Sequence, residues 1–370
     1  MKTVTIALNG RFSGTLQPTG TQTTSFHLFD SIVKCSRSFD LVIFADPAFK
    51  GVSEWADYPG TTVRSIPFSR WPRAKSQLWE QTLLPLEVKG KRYDLVHHPM
   101  ITCPRWNLGA KTLVTLHDLT FFHHPEWVAP AFRNWLMATA VPGMRNASHV
   151  TTISDYVLDH ARSTLGLDEK RTTRIYNGIE LPQEPKAKAS RKTGVILGVN
   201  LWQPHKNLMR LLEAFVILRK QFPEIELHLA GRPQAHYKNS PKLAESLQHH
   251  GIRVLGYLSK EELAEAYASA TVACYPSLEE GFGLPILEAM AAGTPVVTSD
   301  ASCLPEIAGG AAILVDPLSP ADIARGLQDA LSESPPDRER RVEAGKKVAA
   351  RFTWKEAARQ YVELYERILN

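Results

Sequence analysis

The sequence predicts an α/β protein made of two Rossmann-like domains, and three observations support this. Predicted strands and helices alternate through the first half and again from residue 195 onward. Strands such as 194–199 and 296–298 are apolar runs without period-two alternation, as expected when helices cover both faces of a parallel sheet. The polar, proline-bearing stretch 180–192 lacks apolar periodicity and is typical of a linker.

These observations divide the chain into a first domain over 1–179, a linker over 180–192, a second domain over 193–352 and a closing helix over 353–370 that reaches back to the first domain. In the first domain we expect strands at 3–9, 40–45, 61–66, 93–97, 112–116, 149–153 and 174–176, with helices at 21–34, 75–88, 131–145 and 155–165. In the second we expect strands at 195–199, 226–230, 253–255, 271–275 and 296–298, with helices at 206–220, 241–249 and 260–268, a short one from 284 towards Gly293, and three more near the end.

Composition narrows the class of protein. The chain has 370 residues, of which 44 % are hydrophobic and 22 % charged, which is typical of globular domains. Its four cysteines show no CxxC spacing, so we expect reduced thiols and neither metal nor redox use. The first apolar run is too short for a signal peptide and no window is apolar enough to span a bilayer, which predicts a cytoplasmic protein.

The stretch 276–299 is the strongest candidate site. A strand end, a glycine-rich loop, a short helix and another strand follow one another, and Gly281 and Gly283 allow close approach of a ligand to the backbone. A helix that opens from such a loop offers N–H groups to a phosphate. The carboxylates of Glu280 and Glu288 are suited to accept hydrogen bonds from hydroxyls. A capped surface helix is the alternative interpretation.

Three further segments follow predicted strands. The loop 9–22 ends at Gly20 where a helix begins, which suits a phosphate but also fits a flexible loop; without G-x-G-x-x-G it does not indicate nicotinamide binding. His117 and Asp118 end a buried strand, where the histidine could exchange a proton with a hydroxyl or serve a structural role. Lys206 is predicted at a helix start, where its charge opposes the dipole unless an anion is bound; a solvated lysine is the alternative.

With these residues in place, the chain resembles glycosyltransferases of family GT4, which have the GT-B fold with two domains facing across a cleft. The resemblance covers essentially the whole chain. It rests on 280–288 (EGFGLPILE), 204–207 (PHKN), 9–11 (NGR), 19–22 (TGTQ), 116–119 (LHDL), 152–155 (TISD) and 176–179 (YNGI).

The resemblance implies a retaining transferase that binds a nucleotide sugar mainly in the second domain and the acceptor in the first. Carried over by position, Glu280 contacts sugar hydroxyls, Glu288 the ribose and Lys206 the pyrophosphate. His117 lies beside the sugar, with Asp118 on the acceptor side. The remaining donor residues are Gly20, Gly281, Phe282, Gly283 and Leu284, together with Asn200, which stands where many relatives have an arginine.

The mechanism expected from charge is independent of metal and of any cofactor. No Asp-x-Asp pair is present in the sequence, so Lys206 and the helix end are expected to meet the charge of the leaving diphosphate. A front-face displacement fits the family better than a covalent intermediate. The segment 123–127 resembles bacterial mannosyltransferases of polysaccharide assembly, which makes GDP-mannose the first donor candidate, ahead of UDP-glucose or a deoxysugar nucleotide, and a glycan or polyprenyl-linked oligosaccharide the acceptor.

Two other classes of protein remain open. A sugar-nucleotide epimerase or a phosphorylase could share the two-domain architecture. A non-catalytic carbohydrate-binding protein is the other alternative, and it is disfavoured because such a protein would not need the predicted anion receptor. Nothing in the sequence indicates a nucleic-acid partner.

The segment from Arg64 to Arg92 suggests a membrane surface as a further partner. Its seven cations stand against two glutamates and are interleaved with leucines, Trp71 and Trp79. Such a mixture fits peripheral binding to anionic lipid, with both tryptophans at headgroup depth. Residues 1–177 carry 20 Lys and Arg against 14 Asp and Glu, so this half is the basic one. A solvated helix face with the tryptophans in the core is the alternative.

Overall fold

The protein forms two compact units. The computed structural model describes residues 4–15, 20–36, 38–106, 109–180, 194–232 and 240–370. Unit 1 comprises Met1–Gly178 and Thr353–Asn370, and unit 2 comprises Ile179–Phe352. Of the predicted linker over 180–192, all but the first residue lies outside the described residues.

Each unit contains one parallel sheet of Rossmann type. The seven-stranded sheet of unit 1 has the order β3-β2-β1-β4-β5-β6-β7, and the six-stranded sheet of unit 2 has the order β10-β9-β8-β11-β12-β13. All registered pairs are parallel, as the apolar runs predicted. The strands are β1 Thr5–Gly10, β2 Asp40–Ala45, β3 Thr61–Ser65, β4 Leu95–His98, β5 Lys111–Leu116, β6 His149–Thr152, β7 Thr172–Arg174, β8 Val195–Val199, β9 Glu226–Ala230, β10 Ile252–Gly256, β11 Val272–Tyr275, β12 Val296–Ser299 and β13 Ile313–Val315.

The helices connect these strands. Their bounds are α1 Gly20–Cys35, α2 Arg73–Gln81, α3 Leu83–Lys91, α4 Thr120–His123, α5 Pro130–Ala138, α6 Ala140–Asn146, α7 Asp155–Leu165, α8 Leu208–Arg219, α9 Pro241–Ser246, α10 Lys260–Ser269, α11 Leu284–Ala291, α12 Leu304–Ala308, α13 Pro320–Leu331, α14 Pro335–Ala349 and α15 Trp354–Leu369. Among the described residues, no helix combines the length and the apolarity that crossing a membrane requires.

Two helices predicted as continuous are broken, and both breaks share a cause. The helix expected at 75–88 divides at Thr82, and the one expected at 131–145 divides at Thr139; both threonines have φ near −120°. Each threonine is followed three residues later by a proline, Pro85 or Pro142. A proline cannot donate to the carbonyl four residues earlier but is tolerated in a first turn, so the helix ends and restarts.

Two smaller expectations were also wrong. The strand expected at 174–176 lies at Thr172–Arg174, where it pairs with β6. The helix expected from Lys206 begins only at Leu208, because Asn207 has a left-handed backbone with φ of 63°. The strand β13 was not predicted at all.

The helix α15 returns to unit 1, as predicted, and completes its core. It packs along α1 and contributes Tyr361 and Tyr365, both buried. The Tyr361 hydroxyl lies 3.0 Å from the hydroxyls of Thr115 and Thr151, and the Tyr365 hydroxyl lies 2.7 Å from Nδ1 of His97. These bonds join the helix to β4, β5 and β6 in the centre of the sheet.

The segment predicted to face a membrane is only partly exposed. Trp79 is 6 % exposed and packs edge-on against Phe68, and Trp71 is half-buried against the same ring. The expectation that both tryptophans lie at headgroup depth was therefore wrong, because α2 directs Trp79 into the core of unit 1.

Candidate functional site

The loop that joins β11 to α11 in unit 2 has the geometry of an anion receptor. Gly283 has φ of 97° and precedes the helix, and a Cβ at this position would lie 2.7 Å from Cδ2 of Leu304. The positive φ thus favours glycine at this position, and a side chain here would also displace the end of Leu304. Leu284 opens α11, and the N–H groups at a helix start have no partner within the helix.

An ion pair lies at the entrance of this loop. The Nζ atom of Lys206 is 2.5 Å from Oε1 of Glu280, and the two side chains are 17 % and 14 % exposed. Burial raises the pKa of Glu280, but the charges of Lys206 and His205 outweigh it, so that the pKa lies below its ordinary value. Glu280 is therefore ionised near neutral pH, and both side chains remain partly open to solvent.

Lys206 does not occupy the helix start that the sequence predicted. It ends a 3-10 turn, Pro204–Lys206, two residues before α8. The carbonyl of His205 accepts a 2.7 Å hydrogen bond from the amide of Leu278, which fixes this turn against the glycine loop. The sequence argument from the helix dipole therefore does not apply, and Glu280 is the group that meets the ammonium.

Asn207 is a positioning residue that sequence reasoning missed. Its buried amide donates to the carbonyls of Pro276 and Pro317, at 2.8 and 2.7 Å, and so holds two loops at the same edge of the sheet. Its left-handed backbone separates the turn of Lys206 from α8. An asparagine directly after the lysine was the available signal, since asparagine tolerates this conformation better than most residues.

Glu288 lies in α11, one turn beyond the loop. The hydroxyl of Tyr267 donates to its Oε2 atom at 2.9 Å and also lies 3.1 Å from the hydroxyl of Tyr275. Burial raises the pKa of Glu288. Tyr267 thus orients the carboxylate, which keeps acceptor capacity for a ligand hydroxyl.

The other donor residues predicted from sequence have distinct surroundings. Phe282 is 4 % exposed and packs edge-on against Phe352, so its ring belongs to the core of unit 2. Gly281 is half-buried beside it. Asn200 is exposed, has φ of 55°, and follows β8 directly.

A basic residue stands close to Asn200. Gly231, which follows β9, is so near that a Cβ on it would lie 2.7 Å from Oδ1 of Asn200. The next residue, Arg232, is exposed and its guanidinium lies 5.5 Å from the ring centroid of Tyr257. Arg232 is therefore a candidate for the cation that Asn200 does not provide.

In unit 1, His117 and Asp118 follow β5. The Nε2 atom of His117 donates to the carbonyl of Pro99 at 2.7 Å, which leaves Nδ1 as the acceptor. Burial lowers the pKa of His117, so the ring is neutral. Asp118 accepts a 3.0 Å hydrogen bond from the amide of Thr120, the first residue of α4. Both residues thus have structural bonds, and His117 keeps one nitrogen for a ligand.

Gly20 is the first residue of α1 and is exposed, and a Cβ on it would meet no atom within 4 Å. The residues directly before it, 16–19, lie outside the described residues. Packing around Gly20 therefore does not require a glycine at this position.

A buried polar cluster at the carboxyl end of β1 was not recognised in the sequence. Glu80 of α2 is fully buried, and its Oε1 atom accepts from Asn9 at 2.7 Å and lies 3.2 Å from Nε of Arg11. Arg11 also donates to Thr102, and the amide of Asn9 lies 3.0 Å from Nδ1 of His98. Burial and the nearby charge of Arg11 lower the pKa of His98 to about 3.

Within the described part of the chain, no group of three or more His, Cys, Asp or Glu side chains is arranged to hold a metal ion. The two carboxylates of the candidate site are instead engaged by a lysine and a tyrosine.

Two family models match the chain in succession. The family described as Glycosyl transferases group 1 matches residues 182–348, and the family described as Glycosyltransferase Family 4 matches residues 27–183. Together they span most of the chain.

Two similar curated proteins are mannosyltransferases by name. O-antigen chain mannosyltransferase B of Escherichia coli is 29 % identical over 69 % of this chain and 70 % of its own length. MMP alpha-(1->4)-mannosyltransferase of Mycolicibacterium hassiacum is 31 % identical over 66 % of this chain and 60 % of its own length. The match thus spans less than two thirds of the second relative.

Solved structures show the fold. Sucrose-phosphate synthase from Thermosynechococcus elongatus matches with a TM-score of 0.75 and 19 % identity, covering 99 % of both chains. Anabaena Alr3699/HepE in complex with UDP and glucose matches with a TM-score of 0.73 and 18 % identity, covering 98 % of this chain and all of that one. The predicted GT-B architecture is confirmed by this likeness.

Proposed function

The chain belongs to glycosyltransferase family 4, and we propose that it transfers a hexose from a nucleotide sugar to a glycan acceptor, with retention of configuration. The observation that carries the proposal is the partly exposed pair of Lys206 and Glu280 beside the opening of α11. A nucleotide sugar can be bound by three kinds of group: a cation and the N–H groups of a helix start for its diphosphate, and a carboxylate that accepts hydrogen bonds from its sugar hydroxyls.

In this proposal the donor diphosphate lies at the amides of Gly283 and Leu284. Lys206 then turns from Glu280 to a phosphate oxygen, because a diphosphate carries more negative charge than one carboxylate. Glu280 is thereby released to accept hydrogen bonds from the sugar hydroxyls. Glu288, held by Tyr267, accepts from the ribose.

The transfer breaks the bond between the anomeric carbon and the diphosphate oxygen, and forms a bond from that carbon to the acceptor oxygen on the same face. The acceptor's proton passes to the departing phosphate oxygen. Lys206 and the amides at the start of α11 stabilise the charge that develops on this group. In unit 1, the neutral ring of His117 keeps its Nδ1 atom as a hydrogen-bond acceptor, which suits a hydroxyl of the acceptor substrate, and Asp118 is the next residue in the chain.

Mannose from GDP-mannose is the first donor candidate. The names of the two curated relatives support a mannosyl donor, and no step above needs a metal or a cofactor. The O-antigen relative's name also supports a glycan chain as acceptor. The Alr3699/HepE structure, in complex with UDP and glucose, supports UDP-glucose as the second candidate.

Calorimetric titration of the purified protein with GDP-mannose, UDP-glucose, GDP and UDP tests the donor. We expect one nucleotide series to bind at least tenfold more tightly than the other. NMR of the product formed with a glycan acceptor tests retention. Absence of binding to every nucleotide sugar would exclude the proposal, and turnover without an acceptor would favour an epimerase.

A further inference from the structure

An exposed aromatic ring and a guanidinium lie together at one edge of the sheet of unit 2. Tyr257 directly follows β10 and is 73 % exposed. The guanidinium of Arg232, which lies just after β9, is 5.5 Å from the centroid of this ring. With the described residues, Arg232 makes no ion pair and no hydrogen bond. Both side chains can therefore contact a ligand.

The backbone holds these two residues side by side. Strands β9 and β10 are neighbours in the sheet, and the amide of Gly231 donates a 2.6 Å hydrogen bond to the carbonyl of Gly256. Each glycine directly precedes one of the two residues, and each has a positive φ, 107° for Gly231 and 72° for Gly256. Tyr257 and Arg232 are thereby placed at the carboxyl ends of the strands, which is the edge where parallel sheets of this type bind ligands.

The carboxylate proposed for the ribose lies near the helix that follows Tyr257. Glu288 accepts a hydrogen bond from Tyr267 of α10, and this helix begins at Lys260. Burial raises the pKa of Glu288 and the charge of Glu180 adds to this, whereas Lys260, which pairs with Glu180 at 2.7 Å, acts in the opposite direction. The start of α10 is therefore close to Glu288, and a base on a ribose held there can reach Tyr257.

Arg232 could meet either a phosphate or a base, and its distance from the diphosphate decides between them. The proposed diphosphate lies at the start of α11, which follows β11, whereas Tyr257 follows β10, three strands away in the sheet. Adjacent strands are about 4.8 Å apart, so these two positions are separated by roughly 14 Å. The guanidinium, which lies beside Tyr257, is therefore placed for the opposite end of an extended nucleotide.

Guanine is the base whose edge fits this arrangement best. Any base can stack on an exposed aromatic ring, so Tyr257 alone gives affinity without selection. Guanine carries two neighbouring acceptors, O6 and N7, which match the parallel N–H groups of a guanidinium. Adenine has a donor at N6 beside its N7, and the single acceptor O4 of uracil has no such neighbour. Arg232 therefore distinguishes guanine from both.

The spacing of the two side chains determines how a base is accommodated. A base between the ring and the guanidinium would need about 7 Å, which is two contact distances of about 3.5 Å each. The observed separation is 5.5 Å, so a base stacked on Tyr257 moves Arg232 sideways. The exposed side chain of Arg232 can make this movement, and its N–H groups then lie at the edge of the base.

We propose that Tyr257 stacks on the base of the donor nucleotide and that Arg232 selects guanine by donating to its O6 and N7 atoms. This inference rests on the proposed function and adds the two residues that determine the base. The donor is then a guanosine diphosphate sugar, for a reason that does not depend on the names of the relatives.

Calorimetric titration of the full chain with GDP, ADP and UDP tests the selection of the base. We expect GDP to bind at least about tenfold more tightly than the other two. Two analogues separate the contacts, because IDP keeps O6 and N7 but lacks the 2-amino group, whereas 7-deaza-GDP lacks N7. IDP should bind within about threefold of GDP, and 7-deaza-GDP about tenfold more weakly.

The variant Arg232→Lys separates recognition of the base from charge, because lysine is a cation without the fork of N–H groups. Both Arg232→Lys and Arg232→Gln should lose most of the preference for GDP, with the affinity for UDP within about twofold of the wild type. Tyr257→Ala should weaken all three nucleotides about tenfold, whereas Tyr257→Phe should not. Arg340→Gln, at an exposed arginine of α14, is the matched control, and thermal unfolding checks that each variant is folded.

Tighter binding of UDP or ADP than of GDP would overturn the proposal, as would equal binding of GDP and 7-deaza-GDP. A full preference for GDP in Arg232→Lys, or an equal loss for all three nucleotides in Arg232→Gln, would assign the arginine to the phosphates. Unchanged affinity in Tyr257→Ala would remove the stacking contact. Sugar transfer from a uridine donor would refute the guanine assignment and leave the glycosyltransferase intact, whereas absence of binding to every nucleotide sugar would exclude the proposed function itself.

Discussion

Each unit places a cation that follows its first strand against a glutamate from a distant segment, and the two ion pairs differ in burial. Arg11 follows β1 and meets Glu80, with side chains 9 % and 1 % exposed. Lys206 follows β8 and meets Glu280, with side chains 17 % and 14 % exposed. The two pairs therefore share their chemistry but differ in their access to solvent.

The surroundings of the pairs explain the difference. Glu80 is enclosed by Asn9, Thr102 and Arg11, so its charge is met by protein groups alone. Glu280 and Lys206 lie beside the glycine loop and are partly exposed, so in the proposed function each can release the other to bind a ligand. In the proposed function, partial exposure, and not the presence of an ion pair, therefore distinguishes the ligand site from the structural one.

The largest expected effect is on the stability of unit 1. Arg11→Met leaves Glu80 buried without its cation, which should lower the free energy of unfolding by about 3–5 kcal/mol. Urea unfolding followed by tryptophan fluorescence reports mainly on unit 1, because seven of the eight tryptophans lie in it. Arg64→Met, which breaks the exposed pair with Glu87, is the control and should cost about 1 kcal/mol or less. Equal losses in the two variants would refute the structural role.

The matching change in unit 2 should affect catalysis instead. Lys206→Ala should reduce kcat/KM by roughly 10²–10³, the scale for loss of one preorganised electrostatic donor, with little change in the unfolding midpoint. Lys242→Ala, on an exposed pair with Glu213, is the control and should be neutral. A Lys206 variant that keeps normal turnover, or that fails to fold, would assign the lysine to structure.

The buried cluster should also make unit 1 sensitive to acid. The pKa of His98 is about 3 in the native protein, whereas an unfolded histidine titrates near its ordinary value. The unfolded state therefore binds the proton first, and stability falls as the pH decreases below about 6.5. His98 alone should cost about 2 kcal/mol between about pH 7 and pH 5.

The variant His98→Gln tests this assignment, because a glutamine side chain can still accept from Asn9 but does not titrate. It should flatten the dependence of the unfolding free energy on pH. The remaining slope comes from other buried histidines, among them His149, whose pKa burial lowers to about 4. An unchanged slope would show that His98 is not responsible.

A smaller effect is expected at the ribose position. Glu288→Ala removes an acceptor that Tyr267 orients, which should weaken nucleoside diphosphate binding by about 1–3 kcal/mol. Titration calorimetry measures this, with Glu265→Ala on the neighbouring α10 as the control. Unaltered affinity in the Glu288 variant would remove the residue from the donor site.

The smallest expected effect is that of metal removal. EDTA should leave the transferase activity unchanged, because Lys206 and the start of α11 are proposed to meet the charge of the diphosphate. Loss of activity that Mg²⁺ or Mn²⁺ restores would contradict this part of the mechanism.

Sequence patterns predicted the features that depend on residues close together in the chain. Strand bounds such as Asp40–Ala45 and Val195–Val199 agreed fully, because apolar runs and flanking turns are local signals. The helix breaks at Thr82 and Thr139 were also local, but the spacing of threonine and proline was overlooked. The carboxylates of Glu280 and Glu288 were found because they flank a glycine loop in a single stretch.

Long-range partners could not be predicted in the same way. Lys206 and Glu280 are 74 positions apart, and Asn9 and Glu80 are 71 apart. Nothing in the separate segments shows that these side chains meet, so Arg11 was noted only as part of a motif. The sequence also did not show which side chains are buried. Trp71 and Trp79 were predicted at the surface, whereas Trp71 is half-buried, Trp79 is buried and Leu78 is the exposed residue.

The return of α15 to unit 1 has a consequence for biosynthesis. The hydroxyls of Tyr361 and Tyr365 complete bonds to β4, β5 and β6, which are translated more than two hundred residues earlier. Unit 2 is a contiguous segment and can fold on the ribosome as a unit. Unit 1 cannot complete its core until α15 has been translated. Until then, the apolar surface that α15 covers is the part of the nascent chain that chaperones would have to protect.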